Sequence, residues 1–197
     1  MLGGIPKYGT GGVMDMNAPE DPEREISRYR KGPDLLAQAV IGLRDSQLDA
    51  RPAGGGWSVR EIVHHIADGD DIWKMAIKMA IGNEQAEFDL GWYSSLAQVT
   101  WSDRWAYSRR SIETSLSLLR ASREHVVQLL ACVPEAWNRS VVVHTPKAGI
   151  EQVPVGFVIQ MQADHIMHHL ERIHTILQME ARPDARQNDA PMPDRRC

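Results

Sequence analysis

Apolar residues three and four positions apart dominate the middle of the chain, the pattern of helices that bury one face. Leu35, Leu36, Ala39, Val40 and Leu43 form the first stripe. Pro33 just before it suits an early helical position, where its missing N–H is no loss. This spacing predicts a first helix starting near Pro33. Gly54-Gly55-Gly56 breaks the pattern. Ser58 then reads as an N-cap with Glu61 three residues on, the capping-box spacing, and Trp57 is placed to staple onto Ile62. A second helix follows to about Ile81, ahead of Gly82-Asn83. Residues 83–101 are less regular. A third helix fits Arg104 to about Val133, with Ile112, Leu116, Leu119, Val126, Leu129 and Leu130 inward and Pro134 as its stop. The run from Ser140 to Val155, with Thr145-Pro146 and Gly149 in its middle, reads as a short β-hairpin. A last helix spans roughly Gly156 to Glu180. The expected class is therefore all-α, four helices with a short β-hairpin-like excursion before the last.

The ends lack this periodicity. Residues 1–23 are rich in Gly and Pro and are expected to form a flexible leader, and residues 182–197 a flexible tail, leaving 24–181 as one bundle domain. The chain's 197 residues suit a single domain with its own core.

Composition narrows the function classes. Hydrophobic residues make up 43% and charged residues 24%, ordinary for a globular protein. A formal net charge of -4 gives no general attraction to nucleic acid or to an anionic membrane, so neither is expected as a partner. No stretch approaches the ~20 apolar residues that span a bilayer, and the first residues lack a signal peptide's charged and apolar regions. Met14 and Met16 offer later starts. Cys132, in the apolar run Leu129 to Val133, is expected to fill core, and Cys197 is terminal. Two such cysteines make no disulfide framework, which fits a reducing, cytoplasmic compartment.

The histidines carry the chemical signal. Five of the eight fall in two clusters: His64-His65, and His165 with His168-His169. On the second helix His65 borders the stripe of Ile62, Ile66, Gly69 and Trp73, whereas His64 shares a side with Arg60, Glu61, Asp68 and Asp71 and is expected to face water. On the last helix His165 and His169 stand one turn apart on the inner face. His168, beside Asp164 and Glu171, is expected to face out. Three inward imidazoles from two helices would suit one divalent ion, Zn²⁺ or Ni²⁺ above all, with a position left open for chemistry. The same spacing equally describes hydrogen-bonded core histidines, and helical geometry alone leaves both readings open.

Two stretches resemble a known family: Trp57-Ser58-Val59-Arg60-Glu61-Ile62-Val63-His64-His65, and Asp164-His165-Ile166-Met167-His168-His169-Leu170-Glu171-Arg172. With Tyr29 to Pro33, Leu48 to Pro52 and His144-Thr145-Pro146, they resemble the DinB/YfiT-like superfamily of metal-binding four-helix bundles, over about residues 26–180. The resemblance implies an up-down-down-up bundle, often a homodimer. It places the metal on His65, His165 and His169, the residues the face argument selects. It also implies a small-molecule substrate, with activity as a metal-dependent hydrolase or a transferase using a low-molecular-weight thiol.

Arg172, three residues after His169, borders this group and is a candidate for holding a carboxylate of substrate or thiol; pairing with Glu171 or Asp68 is the alternative. Trp57 and Trp73 are expected to pack, and His144 to sit at a turn. No catalytic base is identifiable. Glu61-x-x-His64 and Glu171-x-x-His174 have the spacing of a di-iron carboxylate site, but on faces expected to be polar. A non-catalytic metal sensor or dimerisation module remains a further reading.

Overall fold

Asp21 caps the first helix, its carboxylate accepting from the Arg24 amide at 3.0 Å, and Pro22 opens it. The computed structural model describes residues 17–146 and 149–180; the expected tail and most of the expected leader lie outside them. In chain order the elements are α1 (Pro22–Val40), α2 (Asp45–Leu48), α3 (Val59–Gly82), β1 (Glu87–Asp89), α4 (Gly91–Ser94), α5 (Gln98–Arg104), α6 (Ile112–Cys132), β2 (Ser140–Thr145), β3 (Gly149–Pro154) and α7 (Val155–Glu180). α1, α3, α6 and α7 are the four bundle helices.

Three expectations need correction. The first helix begins at Pro22, eleven residues before Pro33, which lies inside it. The third does not start at Arg104. Ala106 takes a left-handed φ of 53° and Arg110 is extended, so the helix restarts only after Ser111, whose hydroxyl accepts from the Glu113 amide. Cys132 is exposed, because it ends α6 beyond the last turn that packs.

The predicted hairpin is present. β2 and β3 pair antiparallel, with Ser140 opposite Pro154 and Thr145 opposite Gly149. β1 adds a parallel third strand, Glu87 opposite Val142. Its three residues are too short for a period-2 signal and owe their conformation to β2.

Side-chain pairs fix the helix directions. Arg30 meets Glu124 and Asp34 meets Arg120, so α1 and α6 run antiparallel. His64 meets Ser115 and Asp70 meets Arg123, so α3 and α6 run parallel. His65 meets His169, while Gly69 lies against His165, so α3 and α7 are antiparallel. α1 and α7 are parallel, since Arg28 reaches Asp164 and Gly32 lies against Ile166. The bundle is up-down-down-up.

A polar layer divides the core. One apolar cluster includes Leu36, Ile62, Leu119 and Ile173; the other includes Ala76, Val126, Val158 and Ile159. Between them Arg123 and Asp70, both side chains 1% exposed, form an ion pair at 2.6 Å. The guanidinium also donates to Tyr29 O at 2.8 Å and Gln162 O at 2.9 Å, and lies 4.3 Å from the Tyr29 ring centroid. It therefore touches all four bundle helices. Pro33 explains why Tyr29 O is free to accept: an ordinary residue at 33 would donate its amide to that carbonyl, and proline has none. Gly32 completes the arrangement, because a Cβ there would fall on Arg123 Nη1. Gly32-Pro33 thus makes room and an acceptor for a charge carried by another helix.

Candidate metal centre

α3 and α7 bring together the three histidines singled out in the sequence. Their antiparallel packing sets His65, 8% exposed, against His165 and His169, the latter 4% exposed. His165 Nε2 lies 3.1 Å from His65 Nε2 and 3.0 Å from His169 Nε2. One nitrogen from each ring falls within 4.8 Å of the others, and no carboxylate or thiol joins them in any such group among the described residues. Gly69, one turn after His65, faces the group: a Cβ there would lie in ordinary contact with His165 Cε1, at 3.9 Å. Trp57 packs over the group, 4.3 Å from the His65 ring centroid and near-parallel to His169 at 6.2 Å. The loop before α3 therefore supplies one wall.

The donor set fits a divalent ion. Two nitrogens at ~2.0–2.1 Å from one ion stand about 2.8–3.4 Å apart, between right-angle and tetrahedral geometry. The observed separations of 3.0 and 3.1 Å fall within that range. A neutral imidazole has one N–H and one lone pair. His165 Nε2 can thus make a hydrogen bond to only one of its two neighbours at a time. The Nδ1 atoms of all three rings are buried without a partner among the described residues. Packing against Trp57, rather than a carboxylate behind the ring, orients His65 and His169.

Burial keeps all three rings neutral, the form that binds metal. It pushes His65 well below the usual histidine range, with the His165 and Arg172 charges adding to it. Burial holds His165 down at about 4, Arg123 and His168 contributing. His169 is lowered further, by burial first and then by its two partner histidines. The consequence for metal-free protein follows from linkage. The unfolded chain takes up protons below the ordinary histidine value of 6.5 while folded His165 refuses them until about 4. Stability is therefore lost as pH falls through that window, by on the order of 3 kcal/mol from His165 alone. Urea midpoints of metal-free protein at pH 7 and pH 4.5 should show a clear drop; equal midpoints would contradict it.

His64 corrects the face argument. It is 0% exposed, with Nδ1 at 2.8 Å from Ser115 Oγ and Nε2 at 3.2 Å from Arg110 O. The segment carrying Tyr107 and Arg110 covers the side of α3 expected to meet water. Arg60 and Glu61 on that side are also buried, paired with Asp49 and Arg51. His168 is exposed, as expected. The di-iron spacing assembles nothing: Glu61 and His64 are engaged by those partners, and Glu171 and His174 are exposed. Arg172 is half-buried and carries no ion pair to Asp68 or Glu171; Asp68 faces Arg110 at 3.6 Å instead. His144 lies on β2 rather than at a turn and meets Glu87 at 3.2 Å. Arg123 is the neighbour that sequence reasoning missed. Its only trace in the chain is the otherwise costly Gly32-Pro33 in a helix it does not belong to.

The model of the DinB superfamily matches residues 28–173. A protein of Oceanobacillus iheyensis named "Putative metal-dependent hydrolase" is 31% identical over 77% of this chain and 83% of its own length. One of the same description from Geobacillus thermodenitrificans is 26% identical over 80% and 84%. Among solved structures, YfiT from Bacillus subtilis, described as a probable metal-dependent hydrolase with an unusual four-helix bundle topology, superposes with a TM-score of 0.72. It shares 23% identity, over 87% of this chain and 94% of that one. A mycothiol-dependent maleylpyruvate isomerase superposes at 0.57 with 15% identity, over 78% of this chain and 60% of its own.

Proposed function

The chain belongs to the DinB superfamily, and from that premise we propose that it is a metal-dependent hydrolase of a small molecule. The observation that carries this reading is the convergence of His65, His165 and His169 Nε2 atoms from two helices within a largely buried, Trp57-covered group. The naming of its relatives as metal-dependent hydrolases supports it. His65, His165 and His169 would hold the ion, with Zn²⁺ or Ni²⁺ best suited to three imidazoles. Such an ion supplies Lewis acidity, which activates a water or a thiol and polarises a substrate oxygen. Trp57 shields the group from bulk water, and burial keeps the ligand nitrogens free of protons.

One observation favours a second chemistry at the same site. The groups bordering the three rings are apolar or cationic, Trp57, Gly69 and Arg172, and they favour an attacking group that arrives as an anion. A low-molecular-weight thiol meets that need, because it ionises near neutrality and asks for no protein base. S-transfer to an electrophile is thus the alternative to hydrolysis. No transmembrane role competes with either, since no described helix is long and apolar enough to cross a membrane.

The test begins with elemental analysis of protein purified without a metal-affinity tag. About one divalent ion per chain is expected, removable by chelator together with any hydrolytic or thiol-conjugating activity, and restored with it. Protein that takes up no metal even on reconstitution would overturn the proposal.

A further inference from the structure

We propose that Arg172, with Gly56 and Trp57 beside it, forms a carboxylate-binding subsite next to the three histidines, so that the small molecule handled here carries a carboxylate. This rests on the metal-dependent reading and deepens it.

Arg172 stands apart from its counterparts. The other buried or half-buried arginines, Arg28, Arg60, Arg110, Arg123 and Arg139, each have a carboxylate at 3.9 Å or closer. Arg172 has none among the described residues, although Glu171 is its neighbour in sequence. The Arg172 side chain is half-buried and no carboxylate among those residues claims its donors, so they stay available to an incoming anion. Its position makes the missing partner informative. It follows His169 by three residues and His165 by seven, on the same side of α7. Its charge is felt by both His65 and His169.

The loop before α3 is fitted around it. A Cβ on Gly56 would lie 4.0 Å from Arg172 Nη2, and Gly56 holds a φ of 116°, a conformation glycine adopts without strain. That backbone is pinned, because Gly56 O accepts from Arg51 Nη1 at 2.7 Å and Arg51 is held by Glu61. The next residue, Trp57, packs on His65 and His169. The Gly56-Trp57 turn therefore lies beside both the guanidinium and the histidine rings. A guanidinium is cationic and planar, the geometry that takes a carboxylate through two parallel hydrogen bonds.

The test uses full-length protein loaded with Co²⁺ and two small thiols, 3-mercaptopropionate and uncharged 2-mercaptoethanol. Each is titrated through the thiolate-to-cobalt absorption. Wild-type protein is expected to bind 3-mercaptopropionate ~10–100-fold more tightly, the advantage of a charge-assisted pair. In Arg172→Met the two thiols should bind within about threefold of each other, and Arg172→Lys should keep part of the preference. Equal binding by wild type, or a preference surviving in Arg172→Met, would overturn the subsite while leaving the metal reading intact. Protein that takes up no cobalt would overturn the metal reading and the subsite with it.

Discussion

Replacing His65 by alanine should strip the protein of its stoichiometric metal while leaving the bundle folded. On the proposed site the ring would be one of three nitrogen donors, so its loss should weaken binding by more than the ~10–100-fold that removing a supporting residue costs. His169→Ala should do the same. The informative comparison is the neighbouring histidine. His64→Ala should retain about one ion per chain yet lose on the order of 2–4 kcal/mol of stability. It would empty a fully buried position and leave Ser115 Oγ and Arg110 O without their partner. His168→Ala, on the exposed side of α7, should change both quantities little. Elemental analysis after gel filtration and urea denaturation separate the effects. Metal retained at wild-type stoichiometry in His65→Ala would end the three-histidine assignment.

Arg123→Met should be the most destabilising single change in the bundle, by ~3–5 kcal/mol, because it leaves a buried carboxylate without its counter-charge. Burial already raises Asp70 against the pull of Arg123, so the carboxylate has little tolerance for losing its partner. The substitution also strands the Tyr29 carbonyl, which Pro33 cannot serve. Removing both charges, in Arg123→Met with Asp70→Leu, should recover part of the loss, since an apolar pair leaves no uncompensated ion. Equilibrium unfolding of the two single variants and the double variant gives the coupling directly. A loss below about 1 kcal/mol in Arg123→Met would show that water reaches the pair.

Much of this architecture is readable from local signals. Ser58 and Glu61 form the predicted capping box, with Glu61 Oε2 at 2.9 Å from the Ser58 amide. The inward positions of His65 and His169 follow from helical periodicity, because both lie beside stripes that do face the core. Periodicity failed where a helix meets something without a period. The polar side of α3 is buried under the segment ending at Arg110 and against the stretch before the helix, where Asp68 pairs with Arg110, Arg60 with Asp45 and Asp49, and Glu61 with Arg51. Local sequence shows the charges but not what covers them. Pro33 failed for the opposite reason. Its strongest local meaning is a helix start, and that meaning is overridden by an arginine ninety residues away on another helix. The three-residue β1 had no local signal at all.

The histidine group has a consequence for the order of events during synthesis. His65 and His165 are 100 positions apart, and two of the three rings belong to the last bundle helix. A ribosome-bound chain that has not yet released α7 has a single ring of the set, so it should have no useful affinity for an ion. Metal capture is then a late step, possible only after α7 has docked antiparallel to α3. Any ion bound there favours the docked state by mass action. The long sequence separation would thus make an ion held by these rings a latch on the finished fold rather than a template for it, and metal scarcity should then show first as loosening of the C-terminal helix.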